Sequence, residues 1–389
     1  MTDAEPASAG SIYRLPPFLI GSNVSLFPGP QEPDPPAGRR GHPYFMHDMI
    51  VREPTAVQET LRSVREVAPS LPRLPDGARL YLIGQGTSFH AALAAAPAAE
   101  EWLGRRRSIR PLSSFDTVVS EAELDPNSMA IVFSASGETA VTILAQEALR
   151  RRKIPNLLIT HTAASGSADR ASHAIVTRHA EEASWTHTVS YVAAITAAFA
   201  VFEHWAPPDP KRASELGRLP AQIRSGVERE EEVRRAAETL QDRTKFLLLG
   251  SGPAEATVRE AALKLREAAG RFTATVGVEE ALHGALPSVD DDSAVIALAR
   301  APIERERAES ALRAARLAGA RTLLLAPGPP APDLPSIAVP EVPSVLSPVV
   351  DIVPFQWIAY WSGLGAGRNP DIMGLEIPRI RAARSSFGI

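Results

Sequence analysis

Met129-Ala130-Ile131-Val132-Phe133-Ser134-Ala135-Ser136-Gly137-Glu138-Thr139 decides how the rest of the chain is read. An apolar run of strand length enters a hydroxyl-rich turn, and the helical pattern Ala140 to Arg151 follows. A buried strand that ends at a helix start is a place to hold an anion. Ser134, Ser136 and Thr139 supply hydroxyl donors, Gly137 permits close backbone approach, and the helix N-terminus adds partial positive charge. No Lys or Arg lies in the turn, so a bound phosphate would rest on hydroxyls and backbone dipoles. Ser and Thr also cap helices everywhere, so the context has to decide between cap and site.

Outward from this turn the chain alternates short apolar strands with helices. Arg79 to Ile83 runs into Gly84-Gln85-Gly86-Thr87-Ser88, and an alanine-rich helix is expected from about Phe89 to Leu103. Further strands are expected at Asn156 to Ile159 and Ala174 to Val176, and a nearly all-apolar helix at Tyr191 to Trp205. This alternation implies an α/β fold with a parallel sheet covered on both faces. After Pro207-Pro208-Asp209-Pro210 comes a charged helical region, Lys211 to Gln241, and then the strand pattern returns. Phe246 to Gly252, Ala294 to Leu298, Thr322 to Leu325 and Ile337 to Val339 repeat the first four strands at an offset of about 162 to 166 residues. The second copy has Ala299-Arg300-Ala301-Pro302 where the first has its serine turn, so one copy holds the anion and the other is free for another task. Residues 1–40 read as a Pro-rich arm, 41–210 as the first α/β domain and 211–389 as the second.

Composition excludes several classes. The 389 residues carry a net charge of −4 and a pI near 6.2, which provides no basic surface for nucleic acid or membrane. There is no cysteine, hence no disulfide, thiol chemistry or Cys-ligated zinc. No signal peptide or membrane-length apolar run is present, so a soluble, cytoplasmic protein is expected. No metal and no cofactor is called for. Only four of the 41 basic residues are lysines, Lys153, Lys211, Lys245 and Lys264. Lys264 stands three residues before Glu267, so on a helix the two share a face. A surface ion pair is the ordinary outcome of such spacing. A carboxylate base held ionised by a neighbouring ammonium is the alternative.

These motifs resemble the tandem SIS (sugar isomerase) domain proteins, in particular the isomerase half of glutamine–fructose-6-phosphate aminotransferase and its stand-alone phosphosugar isomerase and deaminase relatives. The matching residues are Phe45-Met46 with Ile50 and Pro54, Gly84 to Ser88, Ser134 to Thr139, Ala262 to Glu267, Leu282-His283-Gly284, and Arg368-Asn369-Pro370-Asp371. The resemblance covers about residue 41 to the C-terminus. It implies two duplicated flavodoxin-like αβα domains and a small-molecule phosphosugar partner. The phosphate would be held by Ser134, Ser136, Thr139, Thr87 and Ser88, with Gly86, Ala135, Gly137, His187 and Thr188 around the sugar. By the same resemblance Glu267 carries the proton, Lys264 is its helix mate, and His283 opens the ring, entering from the neighbouring subunit of a homodimer.

The departures are also informative. With no cysteine the chain lacks the thiol chemistry that releases ammonia from glutamine, and no lysine follows Lys264 to form a tail Schiff base. Trp185-Thr186-His187-Thr188 replaces the small Ala-Ser-Thr-Lys stretch of the synthases. The expected activity is phosphosugar aldose–ketose isomerisation without glutamine, with deamination of an amino sugar phosphate within the same chemistry. A deglycase splitting a phosphorylated sugar–amine adduct, and a phosphosugar sensor without turnover, are the alternatives.

Overall fold

The computed structural model describes residues 39–386, so the proposed Pro-rich arm lies almost entirely outside the described residues. The first half comprises α1 (Phe45–Val67), β1 (Arg79–Gly84), α2 (Thr87–Leu103), β2 (Ile109–Ser113), α3 (Ser114–Val119), β3 (Ser128–Phe133), α4 (Ala140–Arg151), β4 (Asn156–Thr160), β5 (His173–Val176) and α5 (Val189–Trp205). The second comprises α6 (Pro210–Val227), α7 (Glu230–Leu240), β6 (Lys245–Leu249), α8 (Pro253–Ala269), β7 (Phe272–Val276), the single turn α9 (Val278–Glu280), β8 (Ser293–Leu298), α10 (Pro302–Leu317), β9 (Arg321–Ala326), β10 (Ser336–Ala338), α11 (Pro348–Gly365) and α12 (Pro378–Arg384).

Each half builds a five-stranded, all-parallel sheet, in the order β2-β1-β3-β4-β5 and, equivalently, β7-β6-β8-β9-β10. The α/β expectation holds, with one strand per sheet more than the apolar runs suggest. β2 and β7 are edge strands: the Ile109–Ser113 strand contains Pro111, and the Phe272–Val276 strand leaves Phe272 exposed. The central strands β3, β4 and β8 are buried at every residue, as parallel strands between helix layers must be. The expected charged helix at Lys211 to Gln241 is two helices, α6 and α7, broken at Glu228 and Arg229.

In both sheets the strand order reverses beside the first strand. That opens a crevice at the carboxyl ends of β1 and β3, the position where open α/β sheets take ligands. The Gly84 to Ser88 turn and the serine turn both lie there. Gly84 is needed, because a Cβ would stand 2.5 Å from the Ser88 carbonyl. The halves share one hydrophobic core, in which alanines of α2 (Ala91, Ala95) join Ala261 and Leu265 of α8. Small side chains let these two helices pack closely, and this packing brings the catalytic candidates of α8 to the crevice of the first sheet.

The C-terminal tail is tied down by Asp371. Its buried carboxylate accepts the N–H groups of Phe45 (2.9 Å) and Met46 (2.8 Å) at the start of α1, whose N-cap Tyr44 makes no side-chain cap. The backbone carbonyl of Asp371 accepts the Trp185 N–H at 2.9 Å, and the Pro370 carbonyl accepts the Thr186 hydroxyl at 2.6 Å. One tail motif therefore caps α1 and holds the segment that lines the crevice. Asp371→Ala, which orphans two N–H groups, is expected to lower stability by about 1–3 kcal/mol. Urea unfolding monitored by circular dichroism measures it, and an unchanged midpoint would show that water replaces the cap.

Candidate active site

Three helices place the functional groups. α4 begins directly after the serine turn, α2 begins after Gly86, and α8 packs against α2. Within the turn, Gly137 adopts φ +75°, and a Cβ there would lie 2.0 Å from the Ser165 hydroxyl oxygen. Only glycine takes this left-handed conformation at so close an approach without strain. The Ser136 hydroxyl accepts the Glu138 N–H at 3.2 Å, and the Glu138 carboxylate accepts the Gly166 N–H at 2.9 Å, which braces the turn from outside. Thr139 is the N-cap of α4, yet its side chain makes no capping bond. The Thr139 hydroxyl therefore does not cap α4 and stays at the cleft wall.

The cleft at this point has a volume of about 350 Å³. Gln85, Thr87, Ser88, Ala135, Ser136 and Thr139 form one wall, with Trp185, His187, Glu267, Met373 and Arg384 completing it. Eight of these are candidates on sequence grounds; Gln85, Met373 and Arg384 are not. Ser134 is 3% exposed and faces a smaller recess behind the cleft, shared with Ser88, His161 and Tyr191; its hydroxyl has no partner among the described residues. Gly86 and Gly137 shape their turns without lining the cleft. Thr188 is a correction to the expected pocket: it is buried at the N-cap of α5, and its N–H donates to Glu182 at 2.7 Å.

Lys264 overturns the surface-pair reading. The residue is 1% exposed, and its ammonium meets Glu267 Oε2 at 2.6 Å, Thr87 Oγ1 at 3.2 Å and Glu260 Oε1 at 3.3 Å. Three hydrogens have three acceptors. Glu260 is fully enclosed and also takes the Thr87 hydroxyl at 3.0 Å and pairs with His90 Nδ1 at 2.7 Å. Burial alone would lower the Lys264 ammonium, but Glu260 and Glu267 hold it above its ordinary value. Burial raises Glu260, yet Lys264 and His90 more than compensate and leave it below the usual carboxylate range. Burial pushes the Glu267 carboxyl up, Lys264 pulls it down, and the nearby Glu260 charge pushes it up again, for a net rise. A carboxylate at the cleft wall with a raised pKa suits proton transfer.

Two consequences follow for the sequence expectations. The Thr87 hydroxyl is engaged with Glu260 and Lys264, so of the expected phosphate set lining the cleft Ser88 and Thr139 keep unengaged hydroxyls and Ser136, which accepts the Glu138 N–H, keeps its own proton to donate. Glu260 was missed, although its spacing of four from Lys264 and seven from Glu267 puts all three on one helix face. His187 is held neutral: burial, with the charges of Lys264 and His161, pushes its pKa down to about 3. It reaches the cleft as an imidazole that can both donate and accept a hydrogen bond. His283 is absent from its own chain's cleft. It sits 73% exposed in the irregular segment Ala281–Ala285, paired with Glu279 at 3.0 Å, while Arg307 clamps the same carboxylate at 2.6 Å.

Comparison with known proteins agrees with this architecture. The SIS domain family profile matches residues 74–201. The glutamine–fructose-6-phosphate aminotransferase (isomerizing) of Methanothermobacter thermautotrophicus is 30% identical over 341 residues, covering 86% of this chain and 57% of that protein. The chain thus spans little more than half the length of that curated relative. Tagatose-6-phosphate ketose/aldose isomerase from Escherichia coli superimposes with a TM-score of 0.72 at 20% identity, covering 88% of this chain and 97% of that one. Glucosamine-6-phosphate deaminase from Thermotoga maritima does so with a TM-score of 0.70 at 18% identity, covering 84% and 96%. At these identities the structures show a common fold. The serine turn lies inside the matched segment, so residues 74–201 match a SIS domain, and the same strand order is repeated in the second half of the chain.

Proposed function

We propose that this chain is a phosphosugar aldose–ketose isomerase that works by enolisation, with Glu267 as the base. The observation that carries the reading is the buried Lys264–Glu267 pair, 2.6 Å apart, at the wall of the cleft that also holds the serine turn. A surface pair needs no burial, and a pure phosphate sensor needs no carboxylate of raised pKa beside the phosphate site.

In this reading Ser88, Ser136 and Thr139 and the open N-terminus of α4 hold the phosphate and so fix the sugar along the cleft. Glu267 takes the proton from C2 of the open-chain aldose, the carbonyl oxygen at C1 takes up the negative charge, and an enediolate forms. Returning the proton to C1, with protonation of the C1 oxygen and re-formation of the carbonyl at C2, gives the ketose. Lys264 stays charged throughout, and its nearby positive charge stabilises the enediolate. His187, neutral, shuttles a proton between the two sugar oxygens. His283 reaches the site of a second copy of the chain and opens the sugar ring. Members of the same fold named as a ketose/aldose isomerase and as an amino-sugar-phosphate deaminase support the substrate class, and the same proton abstraction serves either outcome.

Two measurements test it. In D2O the enzyme should place deuterium on the carbon next to the carbonyl of its phosphosugar, as read by NMR across a panel of hexose and amino-hexose phosphates. Glu267→Gln should remove the exchange by a factor of about 10² or more, since an amide cannot accept the proton, while phosphate binding persists. Equal exchange in the variant would end the proton-transfer role, and a wild type that binds but exchanges nothing would be a sensor. Separately, Ser136→Ala should weaken binding of every phosphosugar by about 1.5–3 kcal/mol in calorimetry, the worth of a hydrogen bond to a charged group. Unchanged affinity would remove the serine turn from the site.

A further inference from the structure

Two carboxylates where α1 meets the segment leading into α5 serve neither phosphate binding nor proton transfer. Glu53 of α1 is 0% exposed, and neither of its oxygens has a hydrogen-bond partner among the described residues. Oε2 of Glu182 and Oε1 of Gln356, on α11, are buried and unpartnered in the same way. α1 packs against both α5 and α11. Burial pushes the Glu53 carboxyl well above the usual carboxylate range, the Gln356 amide pulls it down, and the Glu182 charge pushes it up again. Four acceptor oxygens without a hydrogen bond call for a donor, and an un-ionised carboxyl brings one.

The hydrogen bonds decide which of the two acids keeps the proton. Glu182 is provided for as an anion: its Oε1 accepts the Thr188 N–H at 2.7 Å and the Ser190 N–H at 2.8 Å. Burial raises its carboxyl to about 7 against the pull of Ser190, Thr188 and Lys264. Glu53 has no such donors, and a buried carboxylate without a partner neutralises instead. The ionised Glu182 also has structural work to do. Thr188 is the N-cap of α5 and makes no side-chain cap, so Glu182 supplies the cap from six residues upstream. Between Glu182 and Thr188 the chain carries Trp185 and His187 to the cleft. Glu182 thus ties one end of this stretch to the other, and with it the place of the imidazole.

We propose that Glu53 is kept as a neutral carboxylic acid that donates a hydrogen bond to the free oxygen of ionised Glu182, and that Glu182 so held is a positioning residue for His187. The shared proton stays between the two acids and takes no part in the transfer at Glu267.

Infrared difference spectroscopy on the full-length chain tests the proton directly. At neutral pH, wild type minus Glu53→Gln should show the carbonyl stretch of one un-ionised carboxylic acid, shifted down in D2O. Absence of that band overturns the proposal, whether the pair is then ionised and hydrated or holds a cation. Positioning is read from the His187 ring signals in NMR, assigned by their loss in His187→Gln. They should move in Glu182→Gln, which removes the anion, and in Glu53→Met, which removes the donor. In Glu53→Gln, which keeps a donor, they should hold their wild-type positions. In the two disruptive variants deuterium exchange into the phosphosugar should slow by about tenfold while inorganic phosphate binds as before. Unmoved ring signals overturn the positioning role. A loss of phosphate affinity equal to the loss of exchange would make the pair a general support of the fold, and overturns it too. The exchange measurement rests on the enolisation reading above, and the infrared and ring signals do not. A wild type that exchanges nothing would end that reading and leave the acid pair to be decided by the other two.

Discussion

The structure turns on an ammonium that has almost no access to water. Lys264 is 1% exposed, and an unpaired buried charge would cost several kcal/mol, so each of its three hydrogens must find an acceptor. Two acceptors, Glu260 and Glu267, lie on its own helix at the spacings that share a face. The third is Thr87, in the first turn of α2, and His90 of the same helix completes Glu260. Satisfying one charge therefore ties α8, from the second half of the chain, to the turn that follows β1 in the first. Alanines at the α2–α8 contact make room for that approach. The same network acts on the carboxylate at its cleft end, Glu267, whose pKa burial and the Glu260 charge raise against the pull of Lys264.

Two sheets of the same strand order give two switch-point crevices, and the chain uses them differently. In the first, the serine turn leaves hydroxyls and helix N–H groups open. In the second, the equivalent place is filled from within: the Glu304 carboxylate of α10 accepts the N–H groups of Arg300 (3.1 Å) and Ala301 (3.0 Å). A carboxylate at that helix start repels any outside anion and takes up its donors. The second half contributes instead through α8 and through the tail, which Asp371 anchors to α1 and which delivers Met373 and Arg384 to the cleft.

Much of this was legible because buried parallel strands are uninterrupted apolar runs and glycine-rich turns mark their ends. β1, β3, β4, β6, β8 and β9 were found within a residue or two for that reason. β2 and β7 were not, since an edge strand with one solvated side can carry Arg110, Pro111 or alternating threonines and loses the apolar signature. The α2 start at Thr87 came two residues earlier than expected, because Gly86, at φ +57°, already acts as the N-cap. In the site, the Lys264–Glu267 spacing pointed to a pair, but periodicity does not report burial, so a catalytic pair and a surface pair look alike. Glu260 carried the same helical signal and was overlooked. Arg384 carried none, for it reaches the cleft only by a tail that folds back over some hundreds of residues of sequence.

The claim on which this account depends is that the buried network of Glu260, Lys264 and Glu267 sets the basicity of Glu267. Carbon-13 NMR titration of the Glu267 carboxyl, assigned by its loss in Glu267→Gln, measures this directly. The account predicts a midpoint above the ordinary glutamate value of about 4.3. It also predicts a fall in Glu260→Gln, where a repelling charge is gone and Lys264 is left to Glu267 alone. A midpoint at or below the ordinary value, or one indifferent to Glu260→Gln, would contradict it.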